Sequence, residues 1–197
     1  MNKILLFIIC ILNGSALFSQ ELDILRDSRD NQEYVIVKIG SQWWMSENLN
    51  YKSEDSKIYN DSKSMAMEYG RLYSRHNLSE LCPVGWHVPT ESEWTILLKT
   101  TKAINQNQSG LKGLMENGRS GLDLQLGGSW QKLYRDNYIN LGVWGSYYSS
   151  SLDPNFESKQ YVIYEFLRAE NYPHDIRLSK GVSGMMPSYL SVRCIKN

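Results

Sequence analysis

At 197 residues, with 21 basic and 21 acidic side chains, the chain is long enough to bury a substantial core and carries no formal net charge. The balance argues against nucleic-acid binding, which needs an excess of Lys and Arg to neutralise phosphate, and gives no support to an electrostatically held membrane-surface protein. Aromatic residues make up 12%, with 6 Trp and 13 Tyr, and such wealth leans toward strand-rich structure because rings pack well on pleated surfaces.

The first residues, MNKILLFIICILNGSALFSQ, hold one lysine, an apolar run from Ile4 to Leu12, then small and polar residues. This is the pattern of a secretory signal peptide. The run falls short of the roughly 20 apolar residues that a membrane span takes. Cleavage is expected after Ser19, giving a signal peptide over 1–19 and one domain over 20–197; cleavage after Ala16 fits nearly as well. Cys10 offers a rival reading as a lipid-bearing cysteine, and so a membrane anchor, but Ile9 stands where lipoprotein signals carry a small residue. Export is expected on either reading, to a secreted, periplasmic or outer-membrane location. Of the 3 cysteines only Cys82 and Cys194 then remain, and an even pair in an exported chain reads as a disulfide.

After a polar lead-in, 34–39 (YVIVKI) is expected as a strand, turned by Gly40-Ser41 in a two-residue hairpin onto a return strand at 43–45. Asp27, Asp30 and Asn31 just before it are turn formers rather than calcium ligands. A short helix is expected at 65–69, ended by Gly70, with extended chain at 71–73. Residues 105–121 are rich in Asn, Gln, Gly and Ser and read as a long irregular segment. Gly127-Gly128-Ser129-Trp130 turns into an aromatic strand, and further strands are expected at 142–150, 160–167, 175–178 and 190–195. A hairpin, one or two helices, an irregular middle and an antiparallel run make an α+β protein.

The stretch CPVGWHVPTESEWTILLK (82–99) gathers a cysteine, a histidine and two glutamates, as a reactive site would. Its residues have structural work instead. Thr90 and Glu93 form a T-x-x-E capping box, and Pro89 with Trp94 has the spacing of a hydrophobic staple. Trp94, Leu97, Leu98 and Thr101 continue at helical spacing as a buried stripe. Zinc would need three or four ligands, and only Cys82 and His87 are at hand; a cysteine nucleophile needs a free thiolate, which a disulfide removes. His87 is expected as a packed or hydrogen-bonded core histidine. No metal and no cofactor is expected, and no P-loop, G-x-S-x-G, H-E-x-x-H or dinucleotide-binding glycine pattern occurs.

The runs VKIGSQWWMSENLNY (37–51), YGRLYS (69–74), CPVGWHVPTESEW (82–94), GLDLQLGGSW (121–130), GSYYSSS (145–151) and SVRCIKN (191–197) together resemble the Fibrobacter succinogenes major paralogous domain. The resemblance spans nearly all of 20–197, in order. It implies a C-type-lectin-like α+β fold, distantly similar to formylglycine-generating enzymes, with termini meeting in a small sheet and a long loop region before the last strands. It also supports the Cys82–Cys194 pairing. Ile58 and Ala66 stand where many members carry a local cysteine pair, and Leu122 where an aromatic is usual. The paired catalytic cysteines of the formylglycine enzymes and the calcium and sugar motifs of true C-type lectins are missing, so fold analogy does not carry those activities over.

The expectation is therefore an exported, non-enzymatic binding or adhesion module for a glycan or a cell-surface protein. The alternative is a structural component of a surface or extracellular assembly. In such folds the long loop region, here about 103–145, builds the ligand surface. Exposed rings of Trp130, Tyr134, Tyr138 and Trp144 are the candidates for stacking on sugars or anchoring a partner, while Trp43, Trp86, Trp94 and Tyr147 are expected in the core. Glycosidase chemistry needs two carboxylates across a cleft, and sequence alone does not place Glu47, Glu165 and Asp175 relative to one another.

Overall fold

The computed structural model describes residues 20–132, 136–156, 160–169, 174–184 and 188–197; the expected signal peptide, Cys10 and Tyr134 lie outside them. In chain order the elements are β1 (Leu22–Arg26), β2 (Glu33–Ile39), β3 (Gln42–Met45), β4 (Ser56–Lys57), α1 (Lys63–Tyr69), β5 (Leu72–Ser74), α2 (Leu78–Leu81), β6 (Trp86–His87) and α3 (Glu91–Thr100). They continue with α4 (Gln108–Leu114), β7 (Gly127–Lys132), β8 (Asp136–Leu141), β9 (Trp144–Leu152), β10 (Tyr161–Arg168), β11 (Ile176–Val182), β12 (Ser188–Ser191) and β13 (Ile195–Lys196).

The strands form two sheets, so the architecture is α+β. The smaller runs β1-β2-β3-β13-β6, which sets the C-terminal strand beside the N-terminal hairpin. The larger runs β11-β10-β9-β7-β12-β5-β4, with β8 paired to β7. Most pairings are antiparallel, but β7 meets β9 in parallel at Gly128 and Gly145 alone, so the sheet opens beyond that point. The β2–β3 hairpin pairs Ile39 with Gln42 around Gly40-Ser41, and Gly40 takes the positive φ of +62° that this turn demands.

Alternation along the strands feeds two principal cores. Val37 and Ile39 of β2 and Val162, Tyr164 and Phe166 of β10 pack with Leu97 and Leu98 of α3 and Leu111 and Leu114 of α4. Tyr34 and Ile36, Ile163, Tyr148 and Leu190 face a second core with Trp86, Val88 and Cys194. Helix α3 starts as its sequence dictates: the Thr90 hydroxyl accepts from the Glu93 N–H, and the Glu93 carboxylate accepts from the Thr90 N–H at 2.7 Å. Trp94, fully buried on α3, lies 5.1 Å from the rings of both Trp44 and Tyr164 and about 6 Å from Tyr147 and Phe166. Truncating so central a side chain to alanine costs about 3–5 kcal/mol.

Several elements differ from the sequence expectation. Residues 190–195 are not one strand: β12 belongs to the larger sheet and β13 to the smaller, with Val192, Arg193 and Cys194 crossing between them. The segment 105–121 is not wholly irregular, because α4 docks Leu111 and Leu114 into the first core. β1 and β8 occupy stretches in which no strand is expected. Trp43 is half-buried and packs against the second core from its edge, with the Lys38 ammonium 5.7 Å over its ring.

Candidate functional site

Trp130 and Tyr138 face each other across β7 and β8 as a register pair, and they belong to a third, smaller apolar cluster with Tyr59, Leu72 and Tyr189. Trp130 is buried, not exposed as expected. Tyr189 stands edge-on to its ring at 4.9 Å, and the Lys57 ammonium lies 4.4 Å over Trp130 and 4.7 Å over Tyr189. Tyr138 is half-buried; its ring meets Tyr59 at 5.1 Å and its hydroxyl donates to Asp61 at 3.2 Å. The Tyr189 hydroxyl donates to the Asp55 carboxylate, which also accepts from Ser74 at 2.6 Å. Burial alone would raise the Asp55 carboxyl, but these two hydroxyl bonds outweigh it and hold the pKa below the ordinary value. The outcome is an amphipathic patch in which tyrosine and lysine tips reach solvent over an enclosed tryptophan.

Trp144 opens β9 opposite Leu167 of β10, half-buried, and has no aromatic ring contact among the described residues. The structure thus joins Trp130 with Tyr138 and leaves Trp144 apart. Lys57 and Tyr189 are missed by sequence reasoning, since one sits in a polar loop and the other beside a strand; only the fold brings them to Trp130.

The 82–94 stretch is structural. Cys82 and Cys194 are bonded, with their Cα atoms 5.9 Å apart. The Asn197 side-chain oxygen accepts a hydrogen bond from His87 Nδ1 at 2.7 Å, and the Glu93 carboxylate lies 3.0 Å from Nε2. Burial pushes the Glu93 carboxyl up, yet the bonds from Thr90 and His87 together bring it below its ordinary value. Asp27 and Asn31 close a turn, in which Asp27 is buried and takes a two-pronged ion pair from Arg29 at 2.7 Å. Among the described residues, no group of three or more His, Cys, Asp or Glu is arranged to hold a metal, and no helix is long and apolar enough to cross a membrane.

The three carboxylates left unplaced by the sequence sit on separate elements. Glu47 accepts from the Val35 N–H at 3.0 Å beside the smaller sheet, and Asp175 pairs with Lys112 at 2.8 Å. Glu165 stands on β10, in line with Ile163 on the face that looks to the second core. Its carboxyl accepts a hydrogen bond from Ser146 at 3.3 Å and has no cationic partner among the described residues. Burial pushes its pKa above the ordinary value, and the Ser146 bond takes back only part of that shift. The group opens on a cavity of about 220 Å³ where the larger sheet splits, walled by Gln131, Ile163, Gly181, Ser188 and Leu190. A larger cleft of about 580 Å³ lies between the β2–β3 turn, the end of α3 and α4, with Lys38, Lys102 and Arg119 at its rim. Lys38 is already paired with Glu21 there.

Two sheets, packed helices, and a disulfide tying the C-terminal crossing to the middle of the chain define an α+β domain. The chain belongs to the Fibrobacter succinogenes major domain family, whose profile matches residues 37–196. Comparison with curated proteins and with solved structures returns no match.

Proposed function

We propose that this chain is an exported, non-catalytic binding module of C-type-lectin-like architecture, processed after Ser19, whose ligand is a glycan or a cell-surface protein. The observation that carries the proposal is the patch over Trp130: Tyr138, Tyr189 and Lys57 present aromatic edges, hydroxyls and a cation on a rigid strand platform. Rings with a polar tip and few rotatable bonds are what recognition surfaces use, because they bring large contact area at low entropic cost. The lectin-like part draws support from β13 lying beside the N-terminal hairpin and from the disulfide at that junction. The separate placement of Glu47, Glu165 and Asp175 favours binding over glycosidase chemistry.

The test is retention of the full chain on immobilised polysaccharides and on surface-protein extracts. Retention should fall at least about tenfold in Tyr138→Ala, with folding intact, which corresponds to about 1.4 kcal/mol. Absence of retention on every glycan and every surface fraction would remove the proposal.

A second reading, a structural component of a surface assembly, has its own observation. Edge strand β1 exposes Leu22 and Ile24, beside Val35 of β2 in register with Ile24. An unpaired edge with apolar side chains is a template for strand addition by another protein. Loss of a co-purifying partner in Ile24→Lys, with glycan retention unchanged, would favour it.

A further inference from the structure

We infer that the cavity between β7, β10, β11 and β12 is a binding site for a single neutral, polyhydroxylated ring, a saccharide residue, with Glu165 and Gln131 as its hydrogen-bonding pair. The inference rests on the reading of the chain as a binding module and moves its deepest contact away from the aromatic patch. A volume of about 220 Å³ suits one such ring and little more.

The polar side of the cavity is incompletely satisfied by the protein. Ser146 donates to one oxygen of Glu165, and the other oxygen faces Gly181, across the register pair that joins Gly181 to Ile163. Gln131 of β7 and Ser188 of β12 pair through their backbones, so their side chains enter from the opposite wall. Neither the Gln131 carboxamide nor the Ser188 hydroxyl makes a side-chain hydrogen bond among the described residues. A carboxyl and a carboxamide offer acceptors and donors to adjacent ring hydroxyls, while Ile163 and Leu190 supply an apolar wall for a C–H face. A half-buried carboxyl with no cationic partner among the described residues is disfavoured in the empty protein, and hydroxyl donors from a ligand would offset part of what burial removes.

The chemistry separates this ligand from two others. A divalent cation would want several oxygen ligands, and one carboxylate is present. An ammonium would use acceptors only and leave the carboxamide donors and the apolar wall idle.

Gly181 is the gate to the site. A Cβ there would stand 3.7 Å from Ile163 Cγ1 and 4.0 Å from Glu165 Oε2, ordinary contact distances, so the strand accepts a side chain while the cavity loses its space. The experiment is ligand-observed NMR and calorimetry on the full chain with a panel of neutral methyl glycosides, and with methylammonium as the cationic probe. The expected result is saturation of ring C–H protons for at least one glycoside, affinity at least tenfold weaker in Glu165→Gln, and no detectable binding in Gly181→Val. Near-UV circular dichroism and thermal melting check that each variant is folded, and Gly181→Ala replaces Gly181→Val if the larger side chain prevents folding. Binding of no neutral glycoside, binding unchanged in both variants, or competition by methylammonium would each overturn the site. Polysaccharide retention that persists in Glu165→Gln and Gly181→Val would overturn the site and leave the binding-module proposal standing.

Discussion

The guanidinium of Arg193 is fully buried, and its hydrogen bonds go to neutral groups: the Met45 and Leu122 carbonyls through one nitrogen, the Asn48 side-chain oxygen at 2.7 Å and the Asp123 carbonyl through another. Tyr147 lies 5.9 Å from it and faces the cation with its ring. Burial disfavours the charged form and lowers the pKa; the two terminal nitrogens are matched by these four acceptors, while Nε is buried with no hydrogen-bond partner among the described residues. The four acceptors belong to the strand β3, the loop that follows it and the segment before β7, which makes Arg193 a spacer with fixed geometry rather than half of an ion pair. Removing it orphans buried acceptors as well as a charge-assisted network. Arg193→Met should therefore destabilise by about 3–5 kcal/mol, and Arg193→Lys by less, about 1–3 kcal/mol, because an ammonium keeps charge but not the planar fork. Urea unfolding of both variants measures this; equal stability of Arg193→Met and the parent would show that the network contributes nothing net.

Helix α4 shows how tertiary packing decides an element whose local signals are weak. Its seven residues, QSGLKGL, hold two glycines, each about 1 kcal/mol worse than alanine in a helix interior. The Asn107 side chain caps it by accepting from the Gly110 N–H, and Leu111 and Leu114 are driven into the first core. The two glycines differ in role. At Gly110 a Cβ would come within 2.3 Å of the Lys102 backbone, whereas at Gly113 it would meet nothing within 4 Å. Gly110→Ala is therefore expected to destabilise by about 3 kcal/mol, through forced separation of α4 from the end of α3. Gly113→Ala is expected to stabilise by about 0.5–1 kcal/mol through helix propensity alone. Thermal melts of the pair read opposite signs, and the same sign for both would refute the packing account. The contrast also explains what was legible in the sequence. The Thr90–Glu93 box and the Gly40-Ser41 turn are local chemistry and stand in the structure where the residues place them. In α4 the i, i+3 leucines and the Asn cap were present but outweighed by Gly, Asn and Gln composition. The Glu165 cavity was illegible for a different reason: its walls come from four strands spread between Gln131 and Leu190, and a single Glu inside YVIYEFL signals only a broken alternation.

At the scale of the whole molecule, the chain passes from the larger sheet to the smaller through Val192, Arg193 and Cys194, and three kinds of interaction hold that crossing. Backbone N–H groups of Met45 and Leu49 donate to the Cys194 and Val192 carbonyls, the Arg193 side chain binds both flanks, and Cys194 is bonded to Cys82 at the end of α2. The disulfide closes a loop of 112 residues, so most of its effect falls on the unfolded chain, whose freedom it removes. The chain-entropy estimate for a loop of that length is about 4–5 kcal/mol, an upper figure for a bond that adds no strain. Reduction should leave the folded state in place at moderate temperature, because the hydrogen bonds and the Arg193 network remain, while moving the urea midpoint down by an amount equivalent to about 2–5 kcal/mol. The paired variant Cys82→Ala with Cys194→Ala should reproduce the reduced protein, since Cys194 is fully buried and alanine removes only one sulfur from its site. A shift below about 1 kcal/mol would mean that the unfolded chain is already compact around the crossing. In that case hydrogen exchange at the Met45 and Leu49 amides should stay as slow in the reduced protein as in the oxidised one, and the crossing would owe its order to Arg193.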